Sequence, residues 1–184
     1  LKDWVPAFAG TTRGGEDREV FDLAELERAH EIVGQAVPPT PAHVWPLLGQ
    51  RLGAHVVVKH ENHTPIGAFK VRGGLVYLGR LKQERPNTPG IISATRGNHG
   101  QSLAFAAGRH GVRAVIYVPR GNSVEKNLAM RAFGAELVEH GEDFQAAAEE
   151  AQRRAQFDGL HMVPSFHPDL VLGVAVDVRV HRVA

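Results

Sequence analysis

The sequence predicts an α/β fold, with an open, twisted, parallel sheet and helices on both faces. Short apolar segments rich in β-branched residues recur roughly every 22–25 residues from residue 91 onward. A helix-forming stretch lies between each pair of them, a pattern typical of right-handed strand–helix–strand crossovers. The chain has 184 residues, enough for one domain or two small ones with a buried core.

The first part of the chain supplies the elements that lead into this ladder. Asp22 and Glu25 can cap a helix reciprocally, and Gly34 can end it. The prolines that follow enforce extended chain, because the residue before a proline is biased away from helix. In order, we expect a helix from Asp22 to Gly34, extended chain at 37–41, a strand at 56–58 and a helix at 67–82.

The second part of the chain carries the ladder itself. We expect strands at 91–92, 114–118, 137–138 and 162–163. Between them we expect three helices, the first at 101–109. The second is capped by Asn122 and Glu125, and its apolar face carries Val124, Leu128 and Ala132. The third is opened by Asp143; its buried stripe is Phe144, Ala147, Ala148 and Ala151, and its exposed ion pairs are Glu149–Arg153 and Glu150–Arg154. The alternating tail from residue 176 reads as an edge strand.

Composition excludes several classes of function. The 21 Lys+Arg and 20 Asp+Glu leave a formal charge of +1, which gives no electrostatic basis for binding nucleic acid or a membrane. With no cysteine there is no disulfide framework and no cysteine nucleophile, which fits a reducing compartment, and we expect a cytoplasmic protein. The histidine pairs His60/His63 and His161/His167 lack the helical metal-binding spacing, so we expect no metal site.

The first segment with a candidate catalytic residue runs from residue 59 to residue 74 and contains Lys70 after a Pro/Gly turn. We expect Lys70 in the first turn of a helix, where the partial positive charge of the helix and shielding by Phe69 favour the neutral amine. A neutral lysine is what nucleophilic attack on an aldehyde requires. The alternative is an ordinary solvated surface lysine.

The second segment runs from residue 93 to residue 101, at the end of the strand that begins at Ile91. A loop that leads into a helix offers unpaired backbone N–H groups to a carboxylate or phosphate, and Asn98 adds an amide donor. Ligands of open α/β sheets bind beyond the carboxyl ends of the strands, so we expect chemistry in the loops after Ile92, Val118 and Val163. The alternative is a plain turn with an asparagine cap.

Taken together and in this order, the segments resemble the pyridoxal-phosphate enzymes of the tryptophan-synthase-β type, specifically the serine/threonine dehydratase branch. The matching text is Pro39-Thr40-Pro41, Lys59-His60-Glu61-Asn62, Gly67-Ala68-Phe69-Lys70-Val71-Arg72-Gly73, Gly97-Asn98-His99-Gly100-Gln101, Gly134-Ala135-Glu136 and Pro164-Ser165-Phe166-His167-Pro168-Asp169. The resemblance implies pyridoxal 5'-phosphate as cofactor.

The resemblance also implies roles for single residues. Lys70 is expected to be the lysine that bonds to the cofactor and acts as general base. Asn98 is expected to contact the 3-hydroxyl of the cofactor, and Phe69 to pack beside its ring. The remaining expected site residues, which receive the substrate carboxylate, are Thr95, Gly97 and His99.

The reaction implied is loss of the β-hydroxyl from threonine or serine, which yields a 2-oxo acid and ammonia. The expected partner is therefore a small hydroxy amino acid, and a full-length relative is expected to be a homodimer. Arg96 departs from the pattern, because serine-racemising relatives carry a hydroxyl residue there as a second acid/base. An arginine stays protonated, which counts against racemisation. It could steer substrate anions, or bind nothing.

The resemblance implies a small domain plus an incomplete large domain. Residues 22–85 are expected to begin the large domain, 86–160 to form the small βα domain and 161–184 to return to the large one, with 1–21 as an unstructured extension outside the family. The family pattern stops after about Ala175, before the phosphate-binding loop, so we expect a truncated chain. The alternatives are a non-catalytic fragment that binds no cofactor productively, or a related racemase or synthase.

Overall fold

The structure is a computed structural model that describes residues 21–179, with side chains described as far as residue 176. The expected extension at 1–21 lies almost entirely outside the described residues, as does the end of the tail at 180–184. The elements in chain order are α1 (Leu23–Gly34), β1 (Ala42–Val44), α2 (Pro46–Leu52), β2 (Val57–Lys59), a 3₁₀ turn (Glu61–His63), α3 (Lys70–Glu84), β3 (Ile91–Ala94), α4 (Asn98–Arg109), β4 (Ala114–Val118), α5 (Val124–Ala132), β5 (Glu136–Glu139), α6 (Phe144–Asp158), β6 (His161–Met162) and α7 (Pro168–Arg179).

The main sheet contains four parallel strands in the order β5-β4-β3-β6. The expected parallel sheet is therefore confirmed, and its four strands are those predicted by the spacing. The strand expected at 56–58 belongs elsewhere. As β2 it pairs antiparallel with β1, with Ala42 opposite Lys59, in a separate two-stranded sheet.

Helices cover both faces of the main sheet, as predicted. Side chains of a strand alternate between faces, so Ile91 packs into the core that contains α3 and α4. Its neighbour Ile92 packs with Ala147 and Ala151 of α6 on the opposite face. Small alanines on α6 let that helix approach the sheet closely, and Asp143 caps it as expected, its side chain accepting from the amide of Ala146.

The surface details of α6 differ from the expectation. Phe144 is partly exposed, while Ala155 joins the buried stripe. The ion pairs also differ. Arg153 pairs with Glu150 at i,i+3, and Arg154 pairs with Asp158 of the same helix and with Glu136 of β5. Arg154 thus lies slightly closer to the acid on the strand, Glu136, than to the acid on its own helix, Asp158.

The predicted face of α5 is wrong. Val124 and Leu128 are 72% and 61% exposed, whereas Asn127 and Met130 are buried. Ser123 caps the helix in place of Asn122, and the Asn122 side chain instead donates to Asn127 Oδ1 at 2.6 Å. Hydrogen bonding of the buried amide thus decides the rotation of this helix, which apolar periodicity alone misassigned.

The tail prediction is also wrong over the residues described. Residues 168–179 form α7, a helix, where alternation suggested a strand from residue 176. Leu172 and Val176 are buried at helical spacing in the core shared with α1 and α3. Gly73 of α3 and Gly173 of α7 lie where the two backbones cross, and a side chain at either position would overlap the opposing backbone. In residues 21–179, no helix is long and apolar enough to cross a membrane.

Candidate active site

Lys70 is the first residue of α3, so it lies in the first helical turn as predicted. The loop before it is held by Thr64, whose buried hydroxyl accepts from the amide of Ala68 at 2.9 Å and contacts the carbonyl of Ala68 at 2.9 Å. Gly67 has φ of 66°, a left-handed conformation that favours glycine. The turn therefore presents Phe69 and Lys70 outward, and both are exposed, Phe69 by 46%. Phe69 does not enclose the lysine in this structure.

A buried polar network anchors the start of α3. Arg72 is only 4% exposed and donates to both carboxylate oxygens of Glu61, at 2.8 and 3.1 Å. Glu61 also accepts from the Thr40 hydroxyl at 2.5 Å and lies 3.5 Å from the ammonium of Lys59. Sequence reasoning missed this network, although all four residues lie in the segments that carried the resemblance. Together they tie the first turn of α3, through Arg72, to the chain at residues 40 and 59–61.

The second predicted segment forms the loop from β3 into α4. Thr95 is buried, and its hydroxyl oxygen accepts from the amides of Gly97 at 3.1 Å and Gly100 at 3.3 Å. Its own amide donates to Tyr117 of β4 at 2.9 Å. Thr95 thus shapes the loop, and its hydroxyl proton stays available to a ligand.

The first turn of α4 presents backbone donors. The amide of Gln101 donates to the carbonyl of Gly97, the cap of this helix, at 3.1 Å. The amides of Asn98 and His99 precede that bond and have no acceptor within the helix. They point from the positive end of the helix dipole, which favours a negatively charged group. The Asn98 side chain is exposed beside them, as is Arg96.

The two segments meet because α3 and α4 pack closely at their N-terminal turns. The Ser102 hydroxyl donates to the carbonyl of Lys70 at 2.6 Å. A side chain at Gly74 would overlap Ser102, so glycine is required for this approach. Ser102 was another residue that sequence reasoning missed, since a lone serine within a helix gives no signal of its partner.

His99 reports how near the lysine lies. Burial, together with the positive charge of Lys70 as the smaller cause, lowers the pKa of His99 to about 4. The side chain is 7% exposed, and its Nε2 atom has no hydrogen-bond partner among the described residues. A buried ring nitrogen without a partner is unusual, because such groups are normally satisfied by protein, water or ligand. His99 is therefore neutral near pH 7 and free to bond to a ligand.

Lys126 of α5 also reaches this loop, and no sequence signal pointed to it. A Cβ on Gly97 would lie 2.7 Å from Lys126 Cδ and 3.0 Å from its Nζ. The φ of Gly97 is 171°, extended backbone that any residue adopts, and a Cβ there would first meet the end of the Lys126 side chain. The ammonium of Lys126 thus lies over the loop.

A shallow cavity of about 500 Å³ lies elsewhere, lined by residues 85–89 and 159–162. These residues flank the amino ends of β3 and β6, the edge opposite to the loops described above. Among residues 21–176, no group of three His, Asp or Glu side chains is placed to hold a metal ion. The candidate active site is therefore the group of loops at the carboxyl edge of the sheet.

The model of the family described as pyridoxal-phosphate dependent enzyme matches residues 33–178. That range is most of the chain. This chain belongs to that family. Pyridoxal phosphate is accordingly its cofactor class, and the parallel sheet with flanking helices is the fold of its solved relatives.

The relatives of this chain include threonine dehydratases and a racemase. The chain is 36% identical over 142 residues to the biosynthetic L-threonine dehydratase of Salmonella typhimurium, covering 77% of this chain and 27% of that protein. It is similar to threonine deaminase isoform 2 of Solanum lycopersicum, with a TM-score of 0.73, 28% identity, and coverage of 86% and 46% of the two chains. It is also similar to a pyridoxal 5'-phosphate-dependent aspartate racemase, with a TM-score of 0.80, 26% identity, and coverage of 86% and 51%.

The chain spans about a quarter of the length of the dehydratase and about half of the solved relatives. Within that span, the residues present fit pyridoxal phosphate. An exposed lysine starts a helix, and next to it lie an orphaned buried imidazole nitrogen and a glycine cradle that a Cβ would fill. Lys70 and His99 lie at the starts of the adjoining helices α3 and α4. The expected contacts of Lys70, His99, Phe69, Thr95, Gly97 and Asn98 with cofactor or substrate stay predictions.

Proposed function

We propose that this chain carries the lysine-bearing and carboxylate-binding part of a pyridoxal-phosphate-dependent dehydratase, which eliminates the β-hydroxyl of threonine or serine. The products are a 2-oxo acid and ammonia. One observation carries the proposal: the carbonyl of Lys70, at the start of α3, accepts from Ser102 of α4 at 2.6 Å, and the first turn of α4 holds the buried, unpartnered His99. The identity to threonine dehydratase supports the choice of reaction.

Lys70 has two tasks in this proposal. Its amine is the nucleophile for the cofactor aldehyde, and once released it takes the α-proton of the substrate. Bound pyridoxal phosphate supplies an electron sink for the charge left on the α-carbon. The exposed amide of Asn98 is placed to hold the ring 3-hydroxyl, and exposed Phe69 is free to pack beside the ring.

The substrate carboxylate is proposed to bind at the start of α4. Its partners are the amides of Asn98 and His99, the Thr95 hydroxyl and the loop at Gly97, all at the positive end of the helix. Because the pKa of His99 is lowered to about 4, the imidazole is neutral at pH 7 and can bond without adding charge. Positioning of the scissile bond follows from holding this carboxylate.

Elimination is favoured over racemisation by Arg96. A racemase needs a second base on the opposite face of the reacting carbon, and a protonated guanidinium cannot accept a proton. Arg96 is exposed, and no ion pair to it occurs among residues 21–176. The similarity to an aspartate racemase therefore supports the fold of this chain, while the residue at this position supports dehydration.

The proposal extends to organisation. We propose that 22–85 and 161–184 belong to a large domain and 86–160 to a small one, because α7 packs against α1 and α3. The partner is a small hydroxy amino acid. A homodimer and a cytoplasmic location are proposed for the native polypeptide, the latter supported by the lack of cysteine. Sedimentation and cell fractionation test these two points.

The test is a trapping and turnover experiment on the native polypeptide that contains these residues, supplied with pyridoxal phosphate. Borohydride reduction should fix the cofactor to the peptide that contains Lys70, and threonine or serine should release ammonia. Lys70→Ala should abolish both, while Lys82→Ala, at a half-buried lysine in the last turn of α3, should change neither. Trapping at another lysine, or full activity of Lys70→Ala, would refute the proposal.

A second candidate applies to the 184-residue chain alone: a fragment that binds no cofactor productively. The observation in its favour is that the chain spans only about half of its solved relatives. The same trapping experiment on the isolated 184-residue chain separates the two. No fixation there, with fixation in the native polypeptide, supports the second candidate for the fragment and the first for the protein.

A further inference from the structure

We infer that Lys126 is a substrate-positioning residue, whose ammonium on α5 supplies the second, side-chain half of the carboxylate site at the start of α4. The inference rests on the proposed function and deepens it. It assigns the site to amino acids with a free α-carboxylate. The backbone amides of α4 provide direction, and Lys126 provides a full positive charge.

The position of Lys126 is the first support. Its Nζ lies 3.0 Å, and its Cδ 2.7 Å, from where a Cβ on Gly97 would be. Gly97 caps α4, so the ammonium hangs over the turn that presents the amides of Asn98 and His99. A carboxylate held by those amides lies within reach of the ammonium, and a bond between ionised groups is stronger than one between neutral groups.

The second support is topological. Helix α5 follows β4, and the loop of α4 follows β3, its neighbour in the sheet. Both therefore leave the sheet at its carboxyl edge, where ligands of open α/β sheets bind. Lys126 lies in the first turn of α5, the helix that follows the neighbouring strand β4. Sites at this edge of a sheet combine, in the same way, residues that are distant in sequence.

The orientation of α5 is the third support, because side-chain hydrogen bonds at the start of the helix hold it. Asn127 is buried, accepts from Asn122 at 2.6 Å and donates to Glu139 at 3.4 Å. Ser123 caps the helix by accepting from the amide of Lys126 at 3.4 Å. These contacts turn Val124 and Leu128 outward and fix Lys126 over Gly97.

Charge balance is the fourth support. Among residues 21–176, no carboxylate forms an ion pair with Lys126, although its helix carries Glu125 in the first turn. The nearby acid Glu139 bonds to Asn127 instead. Lys126 is thus a cation beside an anion-binding turn, and its charge is not neutralised by the protein. His99, neutral at pH 7, and Lys70 are the other titratable groups at this turn.

The experiment compares Lys126→Met with Lys126→Arg and with Arg131→Met, an exposed cation in the last turn of the same helix. The native polypeptide with pyridoxal phosphate is used for all three. Two quantities are measured: KM and kcat for threonine, and the dissociation constant of alanine, which has no β-hydroxyl to lose, by calorimetry. Unfolding midpoints confirm that each variant folds.

We expect Lys126→Met to raise both KM and the alanine dissociation constant roughly fivefold, with kcat within about twofold, because the lost contact binds substrate and transition state alike. The effect should shrink at high salt. Lys126→Arg should retain most of the affinity, and Arg131→Met should match the wild type. If the role of Lys126 were purely structural, Lys126→Met would not raise KM while leaving kcat nearly unchanged.

A stability cycle tests the position of the side chain without any ligand. The effect of Gly97→Ala on the unfolding midpoint should differ between the wild type and a Lys126→Ala background, because the added methyl group first meets the Lys126 side chain. If Lys126→Met equals Arg131→Met while the wild type binds alanine, the inference alone is overturned. If the wild type neither binds alanine nor releases ammonia, the proposed function is overturned, and the inference with it.

Discussion

Protonation of His99 should destabilise this fold as the pH falls. Burial, assisted by the charge of Lys70, lowers the pKa of His99 to about 4, whereas the pKa of an unfolded histidine is about 6.5. The unfolded chain therefore binds the proton more readily, and stability rises with pH between these two values. Between pH 7 and pH 5, His99 should cost the folded state about 2 kcal/mol, approaching about 3 kcal/mol below pH 4.

The assay is urea unfolding of the chain at pH 7 and pH 5, comparing the wild type with His99→Gln. The difference in unfolding free energy between the two should change by about 2 kcal/mol over that interval, because the other histidines cancel. His30→Gln, an exposed histidine on α1, is the matched control. Parallel pH profiles for wild type and His99→Gln would refute the reasoning. Lys70→Met should move the His99 titration, followed by NMR, to higher pH.

Three further perturbations follow from the packing. Gly73→Ala should lower the melting temperature strongly, since its methyl group would overlap the α7 backbone, whereas Gly34→Ala, with open space around it, should be neutral or slightly stabilising. Arg72→Met should cost about 1–3 kcal/mol in denaturant unfolding, because Glu61 loses two charged hydrogen bonds and keeps its contacts with Thr40 and Lys59. Tyr77→Phe should cost about 1 kcal/mol by losing its 2.7 Å bond to His161, and ultraviolet titration of the wild type should show this phenol ionising near pH 12. If Gly73→Ala, Arg72→Met or Tyr77→Phe were as stable as the wild type, the contact that the substitution removes or disturbs would be contradicted.

The ladder of strands and helices was predictable because local signals and tertiary packing agree there. Asp22 and Asp143 cap the helices where capping patterns placed them. The buried strands were visible as β-branched runs, since a parallel sheet covered on both faces buries every side chain. Where the two kinds of signal conflict, the prediction failed. The tail alternates like a strand, yet Leu172 packs at helical spacing against two neighbouring helices.

Only part of the site was predictable from the sequence. The difference depends on whether a residue is placed by its neighbours in sequence or by the packing of other helices. Lys70 was expected in the first turn of a helix because the Pro/Gly turn before it is local, whereas the helix expected from residue 101 begins three residues earlier, at Asn98. Their neighbours were not predictable, because a serine, an arginine or a lysine on a helix carries no mark of what it will face. Ser102 and Lys126 reach the site only through the packing of other helices.

The sequence by itself therefore determined the fold class, the order of the four main strands with the helices between them, and the two segments on which the proposed chemistry rests, because these follow from periodicity and from contacts within a few residues. Only the tertiary structure decided which face of α5 is buried, that the tail is a helix, and that Lys70, His99 and Lys126 converge. The reason is that close packing and burial of polar groups depend on residues far apart in the chain, and their free energies outweigh local preference.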